Sequence, residues 1–486
     1  MPKTIQIIGS GFSSLAAACY LAKEGNKVTV YEKNPTLGGR ARQFSEKGFT
    51  FDMGPSWYWM PDVFESFFAD FQKKPSDYYS LEKLSPGYRV FFENNEHFDV
   101  SDDLNTIIAD FEKIETGSGK QLEKFISTAK NNYEIAIKNL VYRPGETIFE
   151  LITPQTALKI DQFFSNIKKD VRKKIKNKNL QQILEFPVLF LGAKPSDTPS
   201  FYNFMNYADF GLGTWQPKNG FFDVIQAMVN LGTELGVTYH TNSSIDEIVV
   251  EANKATGIKI NNTFLKSDVV LSGADYHHTE TLLPKSNRQY SEEYWNKKTF
   301  APSSLLFYVG FDKKLENVCH HNLFFDTDFE KHALDIYDNP KWPDEPLFYA
   351  NFTSITNEQT APKGCENGFF LVPIAPNLED TEELRELYFN KILKRFEEVT
   401  KQDVRKNIIF KKSFCVNDFK SEYNSYKGNA YGMANTLLQT AVLRPKLKSK
   451  KVKNLYFTGQ LTVPGPGVPP ALISGKLVSQ LIQKYQ

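Results

Sequence analysis

Residues 4–34 read TIQIIGSGFSSLAAACYLAKEGNKVTVYEKN, and this stretch decides the fold. Its first apolar run, 4–8, predicts a short strand, residues 14–23 have helical character, and 28–31 predict a second strand. A strand, a glycine-rich turn, a helix and a second strand form a βαβ unit. Such a unit belongs to a parallel sheet, and the N-terminus of its helix presents free N–H groups to the phosphates of a dinucleotide.

Two glycines and one acidic residue of this unit carry the nucleotide signal. Gly9 permits the tight turn, and Gly11 lets the backbone approach a pyrophosphate. Glu32 follows about 20 residues later, where an acidic side chain accepts hydrogen bonds from ribose hydroxyls. Ser14 stands where a third glycine would serve close packing of helix on strand, which weakens the fingerprint. The predicted dinucleotide contacts of this unit are Gly9, Gly11, Phe12, Ser13, Glu32 and Lys33.

The segment after the second strand specifies the nucleotide. GGR at 38–40 resembles the extension found at this point in the superfamily of FAD-dependent amine oxidases and carotenoid desaturases. That resemblance implies FAD as the cofactor, with Gly39 close to its diphosphate and Arg40 neutralising it. A guanidinium suits this role because it binds phosphate oxygens in pairs. FDMGP at 51–55 resembles the family's FDxGP, which passes the flavin. It implies flavin contacts from Gly54, Pro55 and Ser56.

A WxPxxG segment at 215–220 resembles the point where the chain of carotenoid desaturases returns to its FAD domain. The pattern after it predicts a helix at 222–235, a strand at 237–240 and a strand pair near 245–260. In that family, backbone groups of the strand near 245–248 hold the adenine. The resemblance therefore implies an adenine contact at Ile248.

The exit from the FAD domain is marked by VVLSGADYHHT at 269–279. It resembles the family's VxSNADxxxT, with Gly273 in place of the family's Asn. The apolar run 269–271 predicts another buried strand of a parallel sheet.

The most specific motif is NLYFTGQLTVPGPGVPPALISGK at 454–476. It resembles the signature of bacterial-type carotenoid desaturases, the phytoene desaturase family, in which NLYxxGxxTxPGxGxP precedes a helix. Prolines at the start of a helix are tolerated, and the free N–H groups there would face the flavin's pyrimidine edge. Where the wider superfamily has a Gly-Asp pair, this chain has Gly459 and Gln460. The implied flavin contacts are Gly459, Gln460, Gly467 and Val468.

The resemblance spans essentially the whole chain and implies an α/β plus α+β fold. A Rossmann-like FAD-binding domain of the GR type is assigned to the discontinuous ranges 1–90, 215–285 and 418–486. Residues 91–214 are assigned to a helical region that contacts substrate and membrane. Residues 286–417, rich in strand patterns and aromatic residues, are assigned to a mixed-sheet substrate domain.

Composition restricts the partners. The chain has 486 residues, of which 41% are hydrophobic, and a net charge of +1, so nucleic acid is not an expected partner. Four cysteines lie far apart and seven histidines do not cluster at metal-ligand spacing, so no metal site is expected. GLGTW at 211–215 lacks a βαβ context, so no NAD(P)H site is expected. The reduced flavin would then pass its electrons to oxygen or a membrane quinone.

A basic segment at 159–178 carries eight Lys or Arg and two Asp. Apolar residues recur in it at spacings of three and four, which predicts an amphipathic helix. Such a helix lies either on an anionic membrane surface or over an ordinary core. No stretch is long and apolar enough for a transmembrane helix, so the expected location is cytoplasmic and peripheral on the membrane.

The family resemblance implies a carotenoid desaturase, which removes two hydrogens from a C–C bond flanked by double bonds. A flavin accepts hydride at N5, and the resulting allylic cation loses a proton, so positioning and water exclusion are the protein's main tasks. Asp52, Asp209 and His240 are conceivable proton acceptors. The implied substrate is phytoene, a partly desaturated product of it, or a late-stage hydroxylated or monocyclic γ-carotene-type carotenoid that undergoes 3,4-desaturation. Alternatives are a carotenoid isomerase, a flavin amine oxidase and a non-catalytic lipid carrier.

Overall fold

The computed structural model describes residues 1–151 and 153–486. Its strands are β1 (Thr4–Ile8), β2 (Lys27–Tyr31), β3 (Gln43–Glu46), β4 (Phe49–Asp52), β5 (Leu81–Lys83), β6 (Tyr88–Phe92), β7 (His97–Val100), β8 (Trp215–Pro217), β9 (Thr238–His240), β10 (Glu247–Glu251), β11 (Lys254–Ile260), β12 (Thr263–Lys266), β13 (Val269–Ser272), β14 (Ser303–Phe311), β15 (His321–Phe325), β16 (Phe348–Asn351), β17 (Glu366–Ile374), β18 (Ile408–Phe414) and β19 (Leu455–Phe457).

Helices connect and cover these strands. They are α1 (Phe12–Lys23), α2 (Pro61–Ala69), α3 (Leu104–Ile114), α4 (Ser118–Ile135), α5 (Pro154–Ala157), α6 (Ile160–Phe164), α7 (Ile167–Lys174), α8 (Lys178–Glu185), α9 (Phe204–Asn206), α10 (Phe222–Glu234), α11 (Tyr276–Thr281), α12 (Glu292–Asn296), α13 (Phe329–Tyr337), α14 (Glu382–Thr400), α15 (Val416–Tyr423) and α16 (Val468–Tyr485).

A five-stranded sheet in the order β19-β13-β1-β2-β9 forms the nucleotide-binding half of the molecule. Each neighbouring pair in it is parallel, as the βαβ pattern predicts. Side chains alternate between its faces: Ile5 and Ile7 pack in one core with α1, α10 and α16, while Ile8 packs in another with the β10-β11-β12 sheet. The first βαβ unit is thus built into a layered sheet whose strands come from three distant segments.

A second, seven-stranded sheet has the order β18-β14-β17-β16-β15-β6-β7. It is mixed, because β15 pairs with β6 in parallel while the other neighbours are antiparallel. Helix α14 covers one face through Phe389, Ile392 and Phe396. The opposite face, which includes Leu306 and Tyr349, lines a cavity toward the parallel sheet. This sheet has the mixed character expected of the 286–417 segment.

The pairing of β6 changes where we place one domain boundary. Strand β5 pairs with β8, next to the predicted return into the nucleotide-binding half, whereas β6 and β7 pair within the seven-stranded sheet. A boundary at residue 90 would cut β6, so we propose to move it between residues 83 and 88.

The basic segment 159–178 is not the single amphipathic helix that its pattern predicts. It contains two helices, α6 and α7, and it ends where α8 begins. Between α6 and α7 the backbone is extended at Ser165, the C-cap of α6, and at Asn166, the N-cap of α7. Ile167, Val171 and Ile175 are buried in the protein core. The apolar residues of α7 therefore cover protein, whereas Phe164 on α6 is 79% exposed.

Candidate functional site

A cavity of about 1050 Å³ lies between the parallel sheet, the seven-stranded sheet and the helical region. This volume stands at the upper end of the roughly 300–1,000 Å³ typical of ligand pockets. One part of its wall is polar and glycine-rich, and the other is mainly apolar and aromatic. The two parts can therefore receive ligands of different chemistry.

Backbones approach each other closely at the polar end. Gly39 has a φ of +57°, and a Cβ at this position would lie 3.2 Å from the Cα of Gly11. Gly9 also has a positive φ, of +85°. Because both glycine turns line the cavity and expose little but backbone, they form a cradle that suits a diphosphate.

Arg40 lies in the same wall, and no acidic side chain among the residues that the structure describes is within hydrogen-bonding range of it. Its Nη2 donates to the Ser425 hydroxyl at 3.1 Å and to the Asn429 carbonyl at 3.3 Å. Its Nε is buried and has no hydrogen-bond partner in the described part of the chain. Burial lowers the pKa of Arg40, and this effect is opposed by Asp275 and by Tyr423, whose ring centroid lies 5.1 Å from Arg40 Cζ. A half-buried guanidinium in the wall beside the glycine cradle suits an anionic phosphate group.

Glu32 is fixed at the end of β2 by three short hydrogen bonds. It accepts from the N–H and the hydroxyl of Ser10, at 3.0 and 2.6 Å, and from the Asn34 N–H at 2.9 Å. A carboxylate has about four acceptor sites, so one remains for a ribose hydroxyl. The residues present fit FAD in this part of the cavity.

Ile248 is the one predicted cofactor contact that does not line the cavity. Its side chain is buried in the core beneath β10, and its N–H donates to the Leu282 carbonyl at 3.0 Å. The loop before β10 reaches the cavity in its place, through Ser243, Ser244 and Ile245. The residues predicted as cofactor contacts that do line the cavity are Gly9, Gly11, Phe12, Ser13, Glu32, Lys33, Gly39, Arg40, Gly54, Pro55, Ser56, Gly459, Gln460, Gly467 and Val468.

Sequence reasoning missed part of this wall. Asp275 and His278 belong to the ADYHHT motif that marked the exit from the domain, so the motif itself was an available signal. Tyr423 and Asn424 also line the cavity, at the end of α15. No local pattern distinguishes these two, because their position follows from packing of α15 against the N-terminal segment.

The end motif forms the floor of the cavity where the polar and apolar parts meet. Gly459, with a φ of +106°, donates its N–H to the Ser474 hydroxyl at 3.1 Å, which ties the loop to α16. Helix α16 has no side-chain cap at Gly467 and carries prolines in its first turn. Because proline has no N–H, Gly467 and Val468 supply the donors of that turn, fewer than the usual four.

None of the three conceivable proton acceptors lines the cavity. Asp52 accepts from the N–H groups of Phe221 and Phe222, at 2.5 and 3.2 Å, at the start of α10, and burial raises its pKa to about 6. Asp209 accepts from the Tyr88 hydroxyl at 2.7 Å, and burial raises its pKa to about 8. His240 is exposed on β9. None of the three is therefore placed to take a proton from a substrate in the cavity.

Known proteins match the chain over nearly its full length. Residues 12–483 match the family described as flavin containing amine oxidoreductase. The chain belongs to this family. A carotenoid 3,4-desaturase of Haloarcula japonica is 42% identical over 98% of this chain and 97% of its own. A 4,4'-diapophytoene desaturase of Staphylococcus haemolyticus is 31% identical over 98% of each chain. Within the family, this flavoenzyme therefore belongs with the carotenoid desaturases.

Solved structures agree on the fold of this flavoenzyme. An oxidoreductase from Methanosarcina mazei has a TM-score of 0.66 at 17% identity, covering 98% of this chain and 99% of that one. Putrescine oxidase has a TM-score of 0.62 at 13% identity, covering 100% and 99%. At these identities the likeness concerns the fold, and the chain is a flavin-dependent oxidoreductase whose cavity residues fit FAD.

Proposed function

We propose that the protein is an FAD-dependent carotenoid desaturase. The observation that carries this proposal is the apolar extension of the cavity beyond the end motif. There the wall consists mainly of apolar side chains, including Leu306, Leu323, Phe325 and Leu371. Such a wall suits a long polyene and excludes water, and the names of the relatives agree with it.

Bound FAD would supply the two-electron acceptor that takes a hydride from an allylic C–H bond. The chain's own residues would bind and orient. Arg40, Glu32 and the glycine cradle hold the cofactor, and the floor formed by the end motif limits where its ring can lie. The apolar wall would hold the polyene against it, so the rate would come from proximity and from exclusion of water from the reacting bond. The proton released by the neighbouring carbon would pass to solvent at the open end of the cavity.

A hydroxyl cluster in the apolar wall indicates a carotenoid with a polar end. Ser304, Tyr337, Tyr349 and Tyr431 all line the cavity. The Ser304 hydroxyl is buried beside the Tyr431 hydroxyl, which interacts with it, and Tyr431 also lies beside Tyr337. The Tyr349 hydroxyl already pairs with Ser56 at 2.8 Å and with His321 Nδ1 at 2.7 Å. A hydroxyl group both donates and accepts, so Ser304 and Tyr431 together can still bind a ligand hydroxyl in this apolar surrounding. We therefore favour a hydroxylated carotenoid over phytoene.

The cluster is close to the floor of the flavin site. Gly432, next to Tyr431 in the chain, packs closely on Gln460. A Cβ added to Gly432 would lie 2.9 Å from the Cγ of Gln460. A polar end held at Tyr431 would place the neighbouring carbons of the polyene near the flavin. This arrangement favours oxidation close to the end of the substrate, as in 3,4-desaturation, over oxidation at its centre.

To test this, the purified holoprotein is incubated separately with phytoene, a hydroxylated acyclic carotenoid, hydroxylated γ-carotene and putrescine. Oxygen or a soluble quinone serves as the electron acceptor. Loss of two hydrogens from a hydroxylated carotenoid, with a red shift in absorbance, is the expected outcome. Products of unchanged mass would instead identify an isomerase, amine oxidation would identify an amine oxidase, and a flavin-free protein that only binds carotenoid would identify a carrier.

The hydroxyl cluster is tested by Ser304→Ala and Tyr431→Phe. Each should reduce the preference for the hydroxylated over the non-hydroxylated carotenoid, by about tenfold for one lost hydrogen bond in a buried site. Tyr202→Phe is the matched control, because Tyr202 also lines the cavity but pairs with Thr440 at 3.1 Å. Equal preference in all variants would contradict the assignment of the polar end.

We also propose that the protein docks on a lipid bilayer through the mouth of this cavity. Ile160, Leu437 and Leu443 both line the cavity and are exposed to solvent. Leu438 and Phe164, beside them in the chain, are 76% and 79% exposed. An apolar rim around an opening suits a substrate that itself dissolves in the bilayer. Among the described residues, no helix is long and apolar enough to cross a membrane.

Sedimentation with phosphatidylcholine vesicles containing phosphatidylglycerol tests the docking. The double variant Leu438→Ser, Phe164→Ser should lose most of its binding, and binding of the unmodified protein should persist at raised salt because apolar burial drives it. Leu334→Ser with Leu387→Ser is the control, since these exposed leucines lie on α13 and α14. Equal sedimentation of both double variants would refute docking through the mouth.

A further inference from the structure

A guanidinium that pairs with no carboxylate of the described residues lies behind the floor of the cavity. Arg444 is 1% exposed, and the charges that act on it come from Tyr202 and Tyr294 rather than from a carboxylate. Burial lowers the pKa of Arg444 to about 10, so the side chain is still protonated at neutral pH. A buried, uncompensated charge is expensive and is retained where it has a task.

The hydrogen bonds of Arg444 hold two segments that form the cavity wall. All its donor groups are used, and each acceptor is an uncharged oxygen. The bonds run from Nε to the Thr462 carbonyl at 2.9 Å, from Nη1 to Asn435 Oδ1 at 2.6 Å and the Gln439 carbonyl at 2.9 Å, and from Nη2 to the Met433 carbonyl at 3.0 Å and the Gln460 carbonyl at 2.9 Å.

Two of these partners line the cavity themselves. These are Asn435, and Gln460 of the end motif that forms the floor. The guanidinium is therefore separated from the cavity by a single layer of residues. In a buried region of low dielectric, a unit charge at this depth acts strongly on charge that develops inside the cavity.

We propose that Arg444 is a positioning residue that favours the reduced, negatively charged state of the flavin over the oxidised, neutral state. Its forked bonds keep Gln460 and Thr462 in place, and its charge, which no carboxylate cancels, acts on the ring from behind the floor. The inference depends on bound flavin and not on the identity of the carotenoid.

The test measures the reduction potential of the bound flavin by dye equilibration, together with the flavin content. Arg444→Met should lower the potential, by about 30 mV for each tenfold loss in relative affinity for the reduced form. Arg444→Lys should retain most of the potential, because the charge remains, but release flavin faster, because an ammonium has three donors and no fork. Lys298→Met, which removes a less buried cation near Arg444, is the control.

Two outcomes would overturn the proposal. One is an unchanged potential in Arg444→Met with flavin bound. The other is an equal fall in Arg444→Met and Arg444→Lys, which would assign the effect to loop geometry and not to charge. If Arg444→Met does not fold, Arg444→Ala refolded with dilute guanidinium takes its place, and the potential should then rise with guanidinium concentration.

Discussion

Ser14 and Gly273 face each other, and a Cβ on Gly273 would lie 2.0 Å from Ser14 Oγ. Ser14 is fully buried on α1, and Gly273 follows β13. At both positions the chain departs from the patterns it resembles. Ser14 has a side chain where the dinucleotide fingerprint has glycine, and Gly273 lacks a side chain where the family has Asn. The departures compensate, because the serine occupies space that a side chain at residue 273 would need.

This relationship predicts a rescue. Gly273→Asn alone should destabilise the protein by about 1–3 kcal/mol, the usual cost of overpacking, and reduce flavin content. Adding Ser14→Gly should restore much of the loss, because the space is freed. Urea unfolding of the two single variants and the double variant gives the coupling energy directly. Strict additivity of the two changes would show that the residues do not compete for space.

Arg40→Ala should release FAD while leaving most of the fold intact. The physical reason is the loss of the guanidinium that lies in the cavity wall beside the glycine cradle. Flavin absorbance per folded protein should fall at least tenfold. Arg42→Ala is the matched control, because Arg42 does not line the cavity and pairs with Glu422 at 2.9 Å. It should lower stability but keep the flavin, and the same flavin loss in both variants would argue against a phosphate role for Arg40.

Gly39→Ala should reduce both stability and flavin content. The change places a side chain at positive φ, which costs about 1–2 kcal/mol, and against the Cα of Gly11. Gly25→Ala separates these effects, since Gly25 also has a positive φ, of +80°, but nothing lies within 4 Å of its Cβ position. The control should lose stability alone, as measured by thermal unfolding and flavin fluorescence. Normal flavin content in Gly39→Ala would contradict the close cradle.

The buried Asp209 should make stability depend on pH. Burial raises its pKa from 3.8 to about 8, so between these values the folded state binds a proton that the unfolded state releases. The free energy of unfolding should therefore fall as pH rises through this window, by at most about 1.4 kcal/mol per pH unit. Asp209→Asn, which is uncharged and keeps an acceptor for Tyr88, should flatten the profile.

Urea titrations at pH 5, 6.5 and 8 measure this dependence. Glu24→Gln, which changes an exposed carboxylate, serves as the control and should leave the slope unchanged. Parallel profiles for Asp209→Asn and the unmodified protein would show that Asp209 does not carry the proton.

Local patterns predicted the nucleotide-binding half well. The apolar runs at 4–8 and 269–271 became neighbouring parallel strands, and the glycines of the first turn line the cavity, because strand periodicity and turn chemistry are encoded within a few residues. The same reasoning failed for 159–178. Its periodic apolar residues gave the right amphipathic signal, but a cap at Asn166 broke the helix, and the protein core covered the apolar residues of α7 while Phe164 on α6 stayed exposed.

The sequence by itself determined the βαβ unit, the cofactor motifs and the family. Tertiary structure decided which of these residues meet: that Ser14 opposes Gly273, that Ile248 turns into the core, and that Arg444 is buried behind the floor without a carboxylate. The reason is that a motif records the conformation of its own backbone. Burial, charge pairing and the side of a strand that faces a ligand depend on segments hundreds of residues away, and they exist only once those segments pack together.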